Sequence, residues 1–144
     1  MAEDIFISDY NPSSKRYAIL EDNGYSAWLY LTKTGTQKPE KDAFVYSPVQ
    51  PIEKLNIEEI KQKGTPPILT KDLATKSAVI IDAKSNDFKF VWAVDGESVS
   101  VLYRGLPMAM IVKETERGYS TSINKKGFFS LPWDTAIYDK YFKQ

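Results

Sequence analysis

The sequence predicts a mainly β fold with a minor α component. The expected form is a curved antiparallel sheet of about six to eight strands, shaped as a sandwich or partial barrel, with one or two short helices packed on it at about residues 56–63 and 134–142. Three observations carry this prediction. Two strong hairpin signals, Asn23-Gly24 and Asp95-Gly96, sit between segments rich in aromatic and aliphatic residues. From Ser77 onward such segments alternate with turn residues at short intervals, the outline of a β-meander. Helical periodicity or capping chemistry is confined to two short stretches.

The first predicted pair of strands is residues 17–21 and 25–32, joined through Asn23-Gly24, since Asn-Gly supplies the positive φ angles of a type I′ turn. In the second of them Ala27, Leu29 and Leu31 share one face, while Trp28, Tyr30 and Thr32 share the other. Large side chains on both faces suit a central strand or one that carries a binding face. Residues 43–46 form a short strand, which Pro48 and Pro51 terminate.

The first helix is predicted over residues 57–63. Asn56 caps it, Glu59 sits where a capping box places its acid, Leu55 and Ile60 match a hydrophobic staple, and Gly64 ends it ahead of Pro66 and Pro67. The meander comprises residues 78–81, 88–94, 99–104, 108–113 and a weaker 119–123. Phe88, Phe90, Trp92 and Val94 fall on one face, which core packing would use. Residues 108–112 are apolar without a break, as in a strand covered on both sides. Trp133, Ile137 and Tyr141 then recur at four-residue spacing, and Asp134 stands ready to cap a C-terminal helix.

Length and composition point to one domain spanning residues 1–144, with 42% apolar and 26% charged residues. Nineteen basic residues balance nineteen acidic ones, so the broad positive field that nucleic acids and anionic membranes select is absent, and neither partner is expected. The chain has no cysteine and no histidine. Thiolate metal sites, Cys nucleophiles and Ser-His-Asp or Cys-His arrangements are thereby excluded, and no metal site or cofactor motif is apparent. The acidic start Met-Ala-Glu-Asp-Ile-Phe is unlike a secretory signal, and the longest apolar run, residues 106–112, is far short of the roughly 20 residues that cross a bilayer. A cytoplasmic location is expected.

Candidate sites fall in three groups. The turn carboxylates, with Glu21 and Asp95 as the acid pair, would supply the two groups of a glycosidase, a chemistry that needs no histidine; turns also favour such residues simply because they bond to local backbone. The aromatics Trp28, Tyr30, Tyr119 and Trp133 would form a stacking or partner-binding surface if exposed, and core if not. Arg117, beside a strand and close to Tyr119, is the guanidinium placed to clamp a carboxylate or phosphate in a bidentate manner.

The ordered pattern Glu21-Asp22-Asn23-Gly24, Trp92, Asp95-Gly96, Gly105-Leu106-Pro107, Arg117-Gly118-Tyr119 and Trp133-Asp134 resembles a family of small bacterial proteins known only as a domain of unknown function. The resemblance spans about residues 17–138, with residues 48–76 as a longer insertion, and implies a bacterial cytosolic protein. Its glycines, Gly24, Gly96, Gly105 and Gly118, read physically as turn positions. Lacking the usual catalytic side chains, the sequence is best read as a non-enzymatic protein-interaction module, for example an immunity or accessory protein, that uses an aromatic-rich sheet face. The alternatives are a carboxylate-dependent hydrolase or small-ligand binder, and a structural role in a homo-oligomer.

Overall fold

A computed structural model describes residues 4–64 and 66–143. Residues 1–3, on which half of the acidic N-terminal reading falls, lie outside the described residues, as does position 65 of the insertion.

The chain forms two sheets in sequence order. Strands β1 (Ile5–Asn11), β2 (Arg16–Asp22), β3 (Ala27–Thr32) and β4 (Pro39–Tyr46) make a four-stranded antiparallel meander. Strands β5 (Phe88–Trp92), β6 (Val99–Tyr103), β7 (Leu106–Ile111), β8 (Tyr119–Ser120) and β9 (Leu131–Pro132) make the second sheet, antiparallel except for the β8–β9 pair. Helix α1 (Ile57–Lys63) lies in the connection between the sheets, and α2 (Thr135–Phe142) closes the chain. The predicted mainly β, sandwich-like architecture with two short helices is what the structure shows, without barrel closure.

The inner faces meet in the main core, where Leu20, Leu29, Leu31 and Tyr46 pack against Val99, Val101, Ala109 and Ile111. Two further apolar clusters lie outside it. On the outer face of the first sheet Phe44 is covered by Leu69, Leu73, Ala78, Ile123 and Phe129. On the outer face of the second, Met110, Val112 and Tyr119 lie under Tyr138 of α2. Strand β7 therefore sends Ala109 and Ile111 into one core and Met110 into another, the physical reason for its unbroken apolar sequence.

Both helix caps form where the sequence placed them. The Asn56 side chain accepts from the Glu59 N–H at 3.0 Å, Gly64 closes α1 with φ +63°, and Asp134 accepts from the Ile137 N–H at 3.1 Å. Only half of the capping box is present, because the Glu59 carboxylate turns instead to Lys63 at 3.1 Å. No helix of the described residues is long and apolar enough to cross a membrane.

Several local expectations are corrected. The Asn23-Gly24 turn is not type I′: Asn23 keeps a negative φ and its side chain accepts from the N–H groups of Tyr25 and Ser26, which makes a four-residue loop between the paired Asp22 and Ala27. Strand β1 carries no recognised signal because only Ile5 and Ile7 mark its inner face before polar residues take over. Residues 78–81 form no strand beyond a single bridge between Ser47 and Val79. Gly118 is not a turn glycine. A Cβ there would stand 2.3 Å from the Ala43 Cβ and 2.8 Å from the carbonyl oxygens of Asp42 and Met110, so this residue is where the two sheets press together.

That contact begins a seal along the free edge of β4. The Gly118 N–H donates to the Asp42 carbonyl at 3.0 Å, Ser130 Oγ accepts from the Phe44 N–H at 2.7 Å, Ser122 Oγ donates to the Val45 carbonyl at 2.6 Å, and Ser47 exchanges backbone bonds with Ala78 and Ile80. Buried serines thus satisfy the backbone groups that an adjacent strand would otherwise hold.

Candidate binding cleft

Strand register sets the outer face of the first sheet. One row across it reads Phe6, Glu21, Trp28 and Phe44, and the next Ser8, Ile19, Tyr30 and Asp42. The β4 side of this face is roofed by the Phe129 cluster, whereas Phe6 on the β1 side is 66% exposed. At the border between roofed and open halves lies a cleft of about 940 Å³, lined chiefly by Trp28, Tyr30, Asp42, Arg117, Phe128 and Phe129.

Two local arrangements shape it. Gly118 lets residues 116–118 lie directly against β4, so that Arg117 forms a parallel bridge with Asp42. Arg117 Nη2 then donates to the Gly127 carbonyl, which ties down the loop that delivers Phe128 and Phe129. Phe129 is buried, stacked on Trp28 at 5.9 Å with an interplanar angle of 19°, and meets Phe44 edge-on at 5.2 Å. Phe128 contacts Phe129 edge-on yet is 56% exposed at the rim. The Trp28 indole N–H is satisfied by Ser26 Oγ at 2.9 Å, so the ring offers the cleft its apolar surface.

The charges are unevenly committed. Lys41 leans away and donates to the carbonyls of Val112 and Lys113 at 3.2 and 3.0 Å, and burial lowers its pKa. Glu40 is held by Arg16 at 2.9 Å. The carboxylate of Asp42, in contrast, accepts no hydrogen bond among the described residues and makes no ion pair within 4 Å with Arg117. Asp42 is solvent-exposed at the open end of β4, yet the protein around its carboxylate raises its pKa by desolvation, an effect Arg117 opposes. Tyr30, between Glu21 and Asp42 electrostatically, is pushed up to about 12 by burial first and by these two carboxylates second.

The Tyr30 shift has a measurable consequence. The folded chain holds this proton more tightly than the unfolded chain, so its contribution to stability is intact below pH 10 and is lost as pH rises to about 12. Buried Tyr46, hydrogen-bonded to Asp22 at 2.6 Å, is shifted in the same direction. Denaturant melts of Tyr30→Phe between pH 9 and about 12 are expected to show a shallower alkaline decline than the parent. Superimposable declines would remove Tyr30 as a cause.

The sequence-predicted site residues divide clearly. Arg117, Trp28 and Tyr30 come together in the cleft. Tyr119 does not join them; it is buried on the opposite side of the molecule under α2. Trp133 packs on Tyr138 at 5.3 Å and borders a separate groove of about 360 Å³ beside α2. Glu21 and Asp95 are not brought together as an acid pair. The Asp95 loop docks at the β1–β2 turn, where Gly96 meets Asn11 and Ser14 and Glu97 pairs with Arg16 at 2.8 Å. Glu21 lies five residues further along β2, about 17 Å away at the rise of an extended strand. Asp42, Phe128 and Phe129 were not singled out from sequence. An adjacent Phe pair in the polar stretch 124–130 is the signal that would have marked the last two.

No protein-family model, curated protein or solved structure matches this chain. The cleft itself is therefore the basis for a functional reading.

Proposed function

We propose that this chain is a non-enzymatic protein-interaction module that receives an extended segment of a partner protein on the outer face of its first sheet, with a lysine or arginine of that segment entering the cleft. The observation that carries this reading is the pairing of aromatic surface, from Trp28, Tyr30 and Phe128, with an Asp42 carboxylate that accepts no hydrogen bond from the described residues, Arg117 acting on it only through its charge. A carboxylate that accepts no hydrogen bond from the described residues and lies beside aromatic rings is a favourable place for a cationic donor, which gains both ionic hydrogen bonding and cation–π attraction. Arg117, already oriented by the Gly127 carbonyl, retains donors for a backbone carbonyl of the same segment. Rings and an arginine at the centre of a concave patch match the composition of binding hot spots. A bacterial cytoplasmic setting accompanies this reading and rests on the cysteine-free composition and the resemblance above.

The test is a titration, followed by NMR, with three capped tripeptides: Ala-Arg-Ala, its neutral citrulline analogue and Ala-Glu-Ala. The arginine peptide is expected to shift the Trp28 indole and Phe128 signals, and Asp42→Asn to weaken its binding by about tenfold. Equal binding of the citrulline peptide, or selective binding of the glutamate peptide that Arg117→Gln abolishes, would refute the cationic occupant. Indifference of the cleft signals to all three peptides would do the same.

A further inference from the structure

The two edges of the first sheet are treated differently. The β4 edge is sealed by Gly118, Ser122, Ser130 and the residue 78–80 segment, as described above. No backbone hydrogen bond among the described residues joins the outer edge of β1, although its seven residues pair without a bulge to β2 from Ile5 opposite Asp22 to Asn11 opposite Arg16. Exposed edges of this length are normally blunted by proline, lysine or a bulge, and Ile5–Asn11 has none of them. Its one charged residue, Asp9, points inward, a placement that can itself discourage edge pairing, but here its carboxylate is already taken up by Trp92 Nε1 at 2.8 Å. The outward side chains include Phe6 and Tyr10, 66% and 46% exposed.

We infer that β1 pairs antiparallel with β1 of a second copy of this chain, about a two-fold axis at Ser8, to give a continuous eight-stranded sheet. The strand's own sequence selects that register. Centred on Ser8, Phe6 lies opposite Tyr10 of the other copy, twice by symmetry, so Phe6 gains an aromatic neighbour and Tyr10, already against Tyr17 at 4.8 Å, gains a second. Asp9 then lies opposite Ile7, and no like charges meet. Centring on Asp9 would oppose the two Asp9 residues and leave Phe6 without a ring across from it. The isologous pairing also ends the exposure of the backbone donors and acceptors of β1, since each copy supplies what the other lacks. The cleft, on the β3–β4 side of the same face, stays open, so this assembly stands or falls independently of the proposed function and would carry two clefts on one sheet.

Sedimentation equilibrium of the full chain from about 1 µM to about 1 mM tests it, with the mass expected to double from 16.4 kDa. Phe6→Lys combined with Tyr10→Lys, at positions 66% and 46% exposed, gives up the Tyr10–Tyr17 ring contact at 4.8 Å, places like charges opposite each other and is expected to weaken the dimer by roughly tenfold or more, with circular dichroism checking that the variant stays folded. Phe6→Lys combined with Tyr10→Glu restores complementary pairs in the same register and is expected to recover most of that loss. Hydrogen exchange of the unmodified protein supplies a readout free of variants: β1 amides should become protected as concentration rises. A monomer throughout the concentration range, or a dimer indifferent to both double substitutions, overturns the inference.

Discussion

Phe129→Ala is expected to lower the free energy of unfolding by about 4 kcal/mol, near the upper end of large-to-small core substitutions. The ring is 2% exposed and sits at the junction of three aromatic contacts, with Trp28, Phe44 and Phe128. Its loop is anchored from both sides, by Ser130 on the backbone of β4 and by Arg117 on Gly127, so the surroundings have little freedom to collapse into the space. The melting temperature should fall by roughly 10 °C for a chain of this size, and Trp28 emission should move to longer wavelength as water reaches its stacked face. A loss below about 1 kcal/mol would mean that the outer cluster is not a cooperative part of the fold. The same substitution removes the floor of the cleft, so peptide binding should weaken even at temperatures where the protein remains folded.

Gly118→Ala is the second large effect, about 3 kcal/mol, for the opposite reason. Here a methyl group is inserted rather than a ring removed, and the atoms it meets are the Ala43 Cβ and two backbone oxygens, none of which swings aside as a flexible side chain would. Relief requires the β8 approach to move away from β4, which lengthens the bond from the Gly118 N–H to the Asp42 carbonyl and separates Arg117 from its place beside Asp42. The substitution is therefore expected to damage stability and cleft geometry together. Gly105→Ala makes the informative comparison. Gly105 has φ +84° but nothing within 4 Å of a Cβ, so its cost should be the left-handed backbone penalty of about 1 kcal/mol alone. Equal melting temperatures for the two variants would contradict the close approach of the sheets at Gly118.

The difference between these glycines illustrates how far local reading extends. Gly24, Gly96 and Gly105 all have positive φ, as their place in turn motifs implies. Gly118 stands in an equally turn-like sequence, Arg117-Gly118-Tyr119, yet its requirement comes from Ala43, 75 positions earlier in the chain. The aromatics behave likewise. Alternation along β3 correctly separates Leu29 and Leu31 from Trp28 and Tyr30, but it does not say which face receives a roof. Arg117 was legible as a candidate because a guanidinium beside a strand is conspicuous; Asp42 was not, because nothing within the strand distinguishes it from Glu40 or any other solvated acid.

What the sequence by itself determined is the chemistry with a short reach: strand segments with their alternating faces, helices capped by Asn56 and Asp134, the double burial of β7, and the absence of imidazole and thiol. These depend on neighbours within a few residues, where backbone geometry and periodicity dominate. The tertiary structure alone decided that β4 would be sealed by distant serines while the outer edge of β1 took no backbone hydrogen bond from the described residues, that the Asp95 loop would dock at the turn end of the β1–β2 hairpin, away from Glu21, and that Trp28, Tyr30, Asp42 and Arg117 would share one cleft. Those outcomes depend on which apolar faces cover one another, a competition settled by burial across the whole chain and therefore unreadable in any single segment of it.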